Sequence, residues 1–226
     1  MRFVLLAIFG VGGLAVLLWL GMWQVHRLEW KTAILNDIET RIAASPVPLP
    51  AAPDPETDRY LPVSSSGEVS GAPLHVLFST RELGAAYRLV APFRTDDGRD
   101  ILVDLGAIPA EEKEAPRSYP PLEIVGNLHW PNETDSFTPE PERARNIWFA
   151  RDVETMARTL GAEPLLLVAR EIDPPQQGVT QIPVGTGNIP NDHLNYAITW
   201  FSLAAIWAGM TAVLGWRMSG ATTRGR

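Results

Sequence analysis

Two 23-residue stretches, one near each end of the chain, restrict the possible folds more than any other feature. Residues 3–25 (FVLLAIFGVGGLAVLLWLGMWQV) carry no charged side chain, and residues 196–218 carry only Arg217, in the last turn. At about 1.5 Å of rise per residue, each makes a helix of about 35 Å, enough to cross a hydrocarbon core of about 30 Å. The chain therefore reads as a membrane protein in which two transmembrane α-helices, 3–25 and 196–218, flank a single extramembrane domain. Behind the first stretch comes GMWQVHRLEWK rather than an A-x-A-like cleavage site, so the stretch reads as an uncleaved anchor and not as a signal peptide. Trp19, Trp23, Trp30, Trp200, Trp207 and Trp216 lie in or beside the two stretches, where an aromatic belt would place them.

Charge sets the expected orientation. Residues 26–195 hold all 26 acidic side chains against 15 basic ones, a net −11, whereas Arg2, Arg217, Arg224 and Arg226 flank the spans on the other side. The positive-inside rule then puts both termini in the cytoplasm and the loop in the periplasm, or its equivalent. So acidic a domain is a poor fit to nucleic acid. With no cysteine, disulfides, thiolate metal sites and cysteine catalysis are excluded.

Along the loop, residues 26–44 place Leu28, Ile34, Leu35, Ile38 and Ile42 at helical spacing, which predicts a juxtamembrane amphipathic helix continuing from the first span. Residues 45–58 carry prolines at 46, 48, 50, 53 and 55 and read as an extended tether. Residues 59–190 then look mostly like strand. LHVLFST (74–80), YRLVAPFRT (87–95), DILVDLG (100–106), EIVGNLHW (123–130) and PLLLVARE (164–171) are rich in β-branched and aromatic residues, with NIWFA (146–150) as a further candidate. Asp97-Gly98 signals a hairpin. DVETMARTLG (152–161) reads as one short helix with Asp152 as its cap and Gly161 as its stop. The predicted class is a single α+β, mostly antiparallel β domain, or a partly open barrel, followed by a short cytoplasmic tail at 219–226.

No zinc-protease, nucleophile-elbow, P-loop or dinucleotide motif occurs. Ser64, Ser65 and Ser66 read as a polar loop, and Asp96, Asp97 and Asp100 as the acidic residues of a turn. His75 and His129 fall inside strand patterns and read as hydrogen-bonded structural residues. His193 differs, because it stands at the start of the second span (NDHLNYAITWF), beside Tyr196, Thr199 and Trp200, with Asn191 or Asp192 as candidate helix cap. His26 follows the first span on the same side, although proximity is all that supports it. Neutral imidazole is a good haem-iron ligand, and an apolar macrocycle with acidic propionates suits an interfacial site where Arg27 and Lys31 can supply cations. The competing reading is a hydrated interfacial histidine among aromatic anchors, Trp23 included.

These segments resemble the surfeit-locus-one family of cytochrome c oxidase assembly factors. GMWQVHRLEWKTAIL is similar to the family's WQxxRxxWK signature, RYLPVSSSGEV to its R-Y-x-P-V-x-x-x-G segment, LVAPFRTDDGRDILVDLGAIP to its central hairpin, and HLNYAITWFSLA to its C-terminal signature. The match runs in order along nearly the whole chain. One departure stands out, since Leu105 and Ala107 replace the basic and aromatic residues of the family's V-N-R-G-W-V-P, while Gly106 and Pro109 keep the expected turn.

The resemblance implies an assembly factor of the inner membrane, without bond-making chemistry of its own, that binds haem a and helps deliver it to, or retain it in, the catalytic subunit of a haem–copper oxidase. It implies His193 as the iron ligand; Tyr196, Trp200, Trp23, Arg27 and Lys31 complete the expected site, and His26 occupies a variable position of the signature. Expected partners are that catalytic subunit and membrane lipid, with the enzyme that makes haem a as a second candidate. The alternative is a scaffold that steadies an assembly intermediate without holding cofactor.

Overall fold

The first apolar stretch and the amphipathic segment behind it form one unbroken helix, α1 (Arg2–Ile42), because no proline interrupts the chain before Pro46. This computed structural model describes residues 2–80, 83–187 and 189–223; Arg224 and Arg226 of the expected tail lie outside the described residues. The chain divides into a helical unit, which takes in residues up to Asp37 and from Thr186 onward, and a β unit, Ile38–Gly185.

In the helical unit α1 pairs with α3 (His193–Thr223). Gln24 meets His193, Gly21 meets Phe201, Gly13 meets Trp207 and Gly10 meets Thr211, so the two helices run antiparallel. A Cβ on Gly21 would lie 2.6 Å from the Phe201 ring, and one on Gly13 would lie 2.7 Å from the Trp207 ring. Glycine at these places lets the backbones approach closely, which is how helices associate where lipid removes the hydrophobic drive between them. Trp207 Nε1 also donates to Gly10 O across the pair (3.0 Å). Most of the remaining apolar side chains, such as Ile8, Phe9, Val11, Trp19, Ile206, Met210 and Val213, face outward. Exposed apolar surface on that scale belongs in a bilayer and not in water. Two helices long and apolar enough to cross a membrane thus flank the β unit in sequence.

The β unit has strands β1 (Val47–Pro48), β2 (Pro62–Val69), β3 (Leu74–Thr80), β4 (Gly84–Thr95), β5 (Asp100–Pro109), β6 (Leu122–His129) and β7 (Leu166–Asp173), with the helix α2 (Val153–Leu160) before the last. The sheet order is β1-β2-β6-β7-β5-β4-β3, and β2 pairs with β4 as well, so β2, β6, β7, β5 and β4 close into a five-stranded barrel. Pairing is antiparallel except for β5 with β7 and β1 with β2. Closure occurs at Gly67, opposite both Leu122 and Thr95, where a Cβ would lie 2.1 Å from the carbonyl oxygen of Arg94.

Alternation along the strands builds two cores. Leu89, Ala91 and Phe93 of β4, Ile101, Val103 and Leu105 of β5, and Leu167 and Ala169 of β7 fill the barrel. Their neighbours Val90, Leu102, Leu166 and Val168 point out, under Val153, Met156 and Ala157 of α2, Val76 of β3 and Trp148. Strands covered on both faces read as continuous apolar runs, as these do. Asp152 caps α2 by accepting from Thr155 N (3.0 Å), and Gly161 ends it in the left-handed region. Gly98 (φ 86°) turns the β4–β5 hairpin, with its N–H donating to Thr95 O (2.8 Å).

Four expectations need correction. The proline-rich segment is not a free spacer at 47–50: Val47 and Pro48 pair with Val63 and Ser64, Leu49 packs on the barrel core, and Arg99 donates to Pro50 O (2.7 Å). Edge position makes this possible, because an edge strand has one side on which proline's missing donor is not needed. Residues 64–66 belong to β2 and pair with β6, not to a loop. Residues 106–109 form no turn. β5 continues through them, and Gly106 (φ 121°) makes a bulge opposite Leu89 while Ala107 N donates to Thr180 O (2.7 Å). Leu105 and Ala107, where the sequence departs from the family pattern, are both fully buried, so the apolar replacements suit their places. NIWFA contributes bridges at Ile147 and Trp148 and no full strand.

Candidate functional site

His193 is the first residue of α3. Its Nδ1 lies 2.8 Å from Oε1 of Gln24, on α1 and 169 residues away in sequence. Gln24 is 8% exposed, and its amide is the only hydrogen-bonding side chain other than the tryptophan indoles in the first apolar stretch. Nε2 of His193 makes no hydrogen bond with a described residue. Of the two candidate caps, Asn191 does not cap α3. Its amide donates to Thr32 Oγ1 (3.5 Å), and its Oδ1 is buried without a partner.

Helix geometry places the remaining expected residues. Each step turns by roughly 100°, so on α1 Arg27 and Lys31 lie within about 60° of Gln24, and Trp23 lies about 100° away on that same flank. On α3, Tyr196 and Trp200 fall within about 60° of His193, and the antiparallel arrangement turns them towards the flank that carries Trp23 and Arg27. Since α3 descends as α1 ascends, Tyr196 and Trp200 sit on the span side of His193, and Arg27 and Lys31 on the side of the polar loop. Trp23, Arg27 and Tyr196 are exposed, Trp200 and Lys31 partly so. Arg27 stacks over the Trp30 ring, 3.9 Å from its centroid.

His26 does not join them. It stands roughly 200° from Gln24 around α1, is exposed, and gives its Nδ1 to Met22 O (2.9 Å) within its own helix.

The other two histidines serve the β unit. His75 shares Nδ1 with the Asn146 amide (2.9 Å), and burial lowers its pKa from 6.5. His129 is not hydrogen-bonded as expected: its Nδ1 is buried without a partner, its ring stacks on Tyr60 with centroids 5.6 Å apart, and burial, helped by the positive charge of Arg151, lowers its pKa to about 4. Asp100 is held by both Arg94 Nε and NH2 (3.0 and 2.9 Å), so the turn carboxylates serve the hairpin. Among the described residues there is no group of three or more potential metal ligands.

One polar cluster was not foreseen from sequence. Asp104, fully buried in β5, accepts from Arg88 Nε (2.7 Å) and Arg151 NH1 (3.3 Å), while its Oδ1 accepts from Gly106 N (3.1 Å). Arg151 in turn binds Glu133, and Arg88 donates to Ile182 O (2.8 Å). Two cations and two carboxylates balance in charge, and every bond is spent on another member or on backbone. The cluster is built to hold the barrel to its loops, with nothing left to act on a substrate. A lone aspartate in the apolar run ILVDLG (101–106) was the available signal, just as a lone amide in an apolar span was the signal for Gln24.

A sequence model of the SURF1 family matches residues 12–205. The chain is similar to Surfeit locus protein 1 of Homo sapiens, 33% identical over 213 residues that cover 82% of this chain and 69% of that protein. It is similar to its counterpart in Mus musculus at 32% over 212 residues, 82% and 68% of the two chains. To a SURF1-like protein of Drosophila melanogaster it is 30% identical over 217 residues, 82% and 69% of the two.

Proposed function

The chain belongs to the SURF1 family, and on that premise we propose that it serves the assembly of a haem–copper cytochrome c oxidase by holding haem a at the α1–α3 flank. It passes the cofactor to the oxidase's catalytic subunit or keeps it there. The reading places the β unit in the periplasm of a bacterial inner membrane.

One observation carries it. His193 presents an imidazole with one nitrogen tied to Gln24 and the other unbonded among the described residues, on a flank with aromatic rings on the span side and cations on the loop side. The donor set fits a haem, whose iron would take one bond from the His193 imidazole. When bound, the cofactor offers one iron coordination position to a neutral imidazole and two propionates to cations. His193 supplies Nε2. Tyr196, Trp200 and Trp23 shield the macrocycle from water, and Arg27 and Lys31 pair with carboxylates for about 1 kcal/mol or less each at so exposed a place. His26, on the far side of α1, contributes no second ligand from this chain. A carrier holding its cargo through a single histidine would bind it firmly enough to carry and loosely enough to release.

The test is the visible absorption spectrum of the full-length protein purified in detergent from cells that make haem a. The wild type and His26→Ala carry a haem a spectrum, and His193→Ala loses it or shifts its bands. Full occupancy with unchanged bands in His193→Ala overturns the ligand assignment. A wild type without haem leaves the assembly scaffold as the function.

A further inference from the structure

We propose that Gln24 is the positioning residue of His193, fixing which ring nitrogen faces outward and so setting how strongly this site holds a haem iron. The inference rests on the haem reading above but concerns a contact within the apoprotein.

A glutamine Oε1 only accepts hydrogen bonds. At 2.8 Å from Nδ1 it requires the proton there, which makes Nε2 the nitrogen with the free lone pair. Without that acceptor, a neutral imidazole would exchange between two tautomers, only one of which offers Nε2, and its ring would be free to rotate. The environment makes the contact count. Gln24 is 8% exposed on a helix face packed against α3, where water competes little, and breaking the bond would leave a buried amide oxygen unpaired. The place is also secured from both sides along α1. Gly21, one turn towards the span, lets Phe201 approach to within 2.6 Å of a Cβ position, and Thr32, two turns towards the loop, receives the Asn191 amide. A close approach of the helix pair and a second polar contact therefore bracket the Gln24–His193 bond. Ligating histidines commonly give their other ring nitrogen to an acceptor that orients the ring and raises its basicity, and loss of such an acceptor typically weakens metal binding 10–100-fold.

The experiment uses the full-length protein in detergent. Nitrogen NMR of ¹⁵N-histidine-labelled apoprotein reads the tautomer of His193, assigned by its loss in His193→Ala, and haemin titration reads affinity. Wild-type His193 is expected to carry its proton on Nδ1. In Gln24→Leu, which keeps the volume and removes the acceptor, the preference for the proton on Nδ1 is lost and haemin binds about 10–100-fold more weakly. Gln24→Glu, measured at a pH where the new carboxyl is ionised, keeps an oxygen that can only accept and restores both. Equal melting temperatures for the variants separate this from a folding defect, and the wild-type tautomer is informative without any variant. A wild-type His193 protonated on Nε2 overturns the proposal. So does a Gln24→Leu protein that binds haemin like the wild type while His193→Ala does not, and that result leaves the haem reading standing. Undiminished haemin binding by His193→Ala sinks the haem reading, and the NMR arm then decides the hydrogen bond alone.

Discussion

Asp104 has no exposed surface, and its two arginine partners are nearly as deeply placed, with side chains 7% and 11% exposed. Its removal leaves Arg88 charged and uncompensated inside the barrel wall. Asp104→Ala is expected to cost about 3–5 kcal/mol of stability, read from denaturant unfolding of the full-length protein; a loss under 1 kcal/mol would show the cluster to be dispensable. His129 gives a pH signature. Its folded pKa of about 4 lies below the unfolded value near 6.5, so below about pH 6.5 the unfolded chain takes up a proton that the folded chain refuses. Stability therefore falls as the pH drops from about 6.5 to about 4, by at most about 3 kcal/mol, and levels off below. Glu133 acts in a lower window. Burial raises its pKa, but the bonds and charge of Arg151 outweigh that and hold it below 4.5, so its contribution is lost only as the pH falls beneath that value. His129→Asn should shrink the loss in the upper window and leave the share of His75, whose pKa burial also lowers, and an unchanged pH profile in that variant would remove the assignment. At this scale the sequence was legible where a residue marks its own place, as His193 does at the start of α3. It was opaque where the role is a pairing, as with Gln24, whose partner lies 169 residues away.

Elements were more legible than residues, for reasons particular to each. The helix at 153–160 carried its own cap and stop in Asp152 and Gly161, and the Asp97-Gly98 hairpin its own turn chemistry, so both are encoded within a few neighbouring residues. The runs that became β4, β5 and β7 announced strands, but ring closure did not, since it depends on Gly67 meeting two partners at once. The proline-rich segment misled for a related reason. Composition reports that residues 47–50 are extended, not that an edge of β2 is open to receive them. With Leu49 against the core and Pro50 O bound by Arg99, replacing 47–50 by Gly-Ser-Gly-Ser is expected to destabilise the β unit by about 1–2 kcal/mol. The same exchange at Ala51 and Ala52, both exposed, should change little. Equal melting of the two variants and the wild type would return the segment to the status of a spacer.

For the whole molecule, two antiparallel spans joined by the β unit require that residues 26–195 leave and re-enter the membrane on one face, and the lysines and arginines beside the spans are what select that face. Four arginines flank the spans on the terminal side, whereas Arg27, Lys31 and Arg41 stand close to them on the loop side, so the count of basic residues near the spans favours a cytoplasmic placement of the termini only narrowly. The absence of any acidic residue outside 26–195 does not by itself orient the chain, because the rule counts lysine and arginine. The prediction is therefore open to a clean failure. A reporter active only in the cytoplasm should work when fused after Arg226 and fail when inserted in the loop around Phe137. That loop is suited to an insertion: Phe137 is 90% exposed, and Asp135 and Thr138 close the turn by local hydrogen bonds, so added chain leaves the barrel undisturbed. A reporter active only in the periplasm should give the reverse pattern at the same two positions. If both reporters invert, the β unit faces the cytoplasm, the α1–α3 flank opens on the opposite membrane surface, and the proposed hand-over would have to take place there.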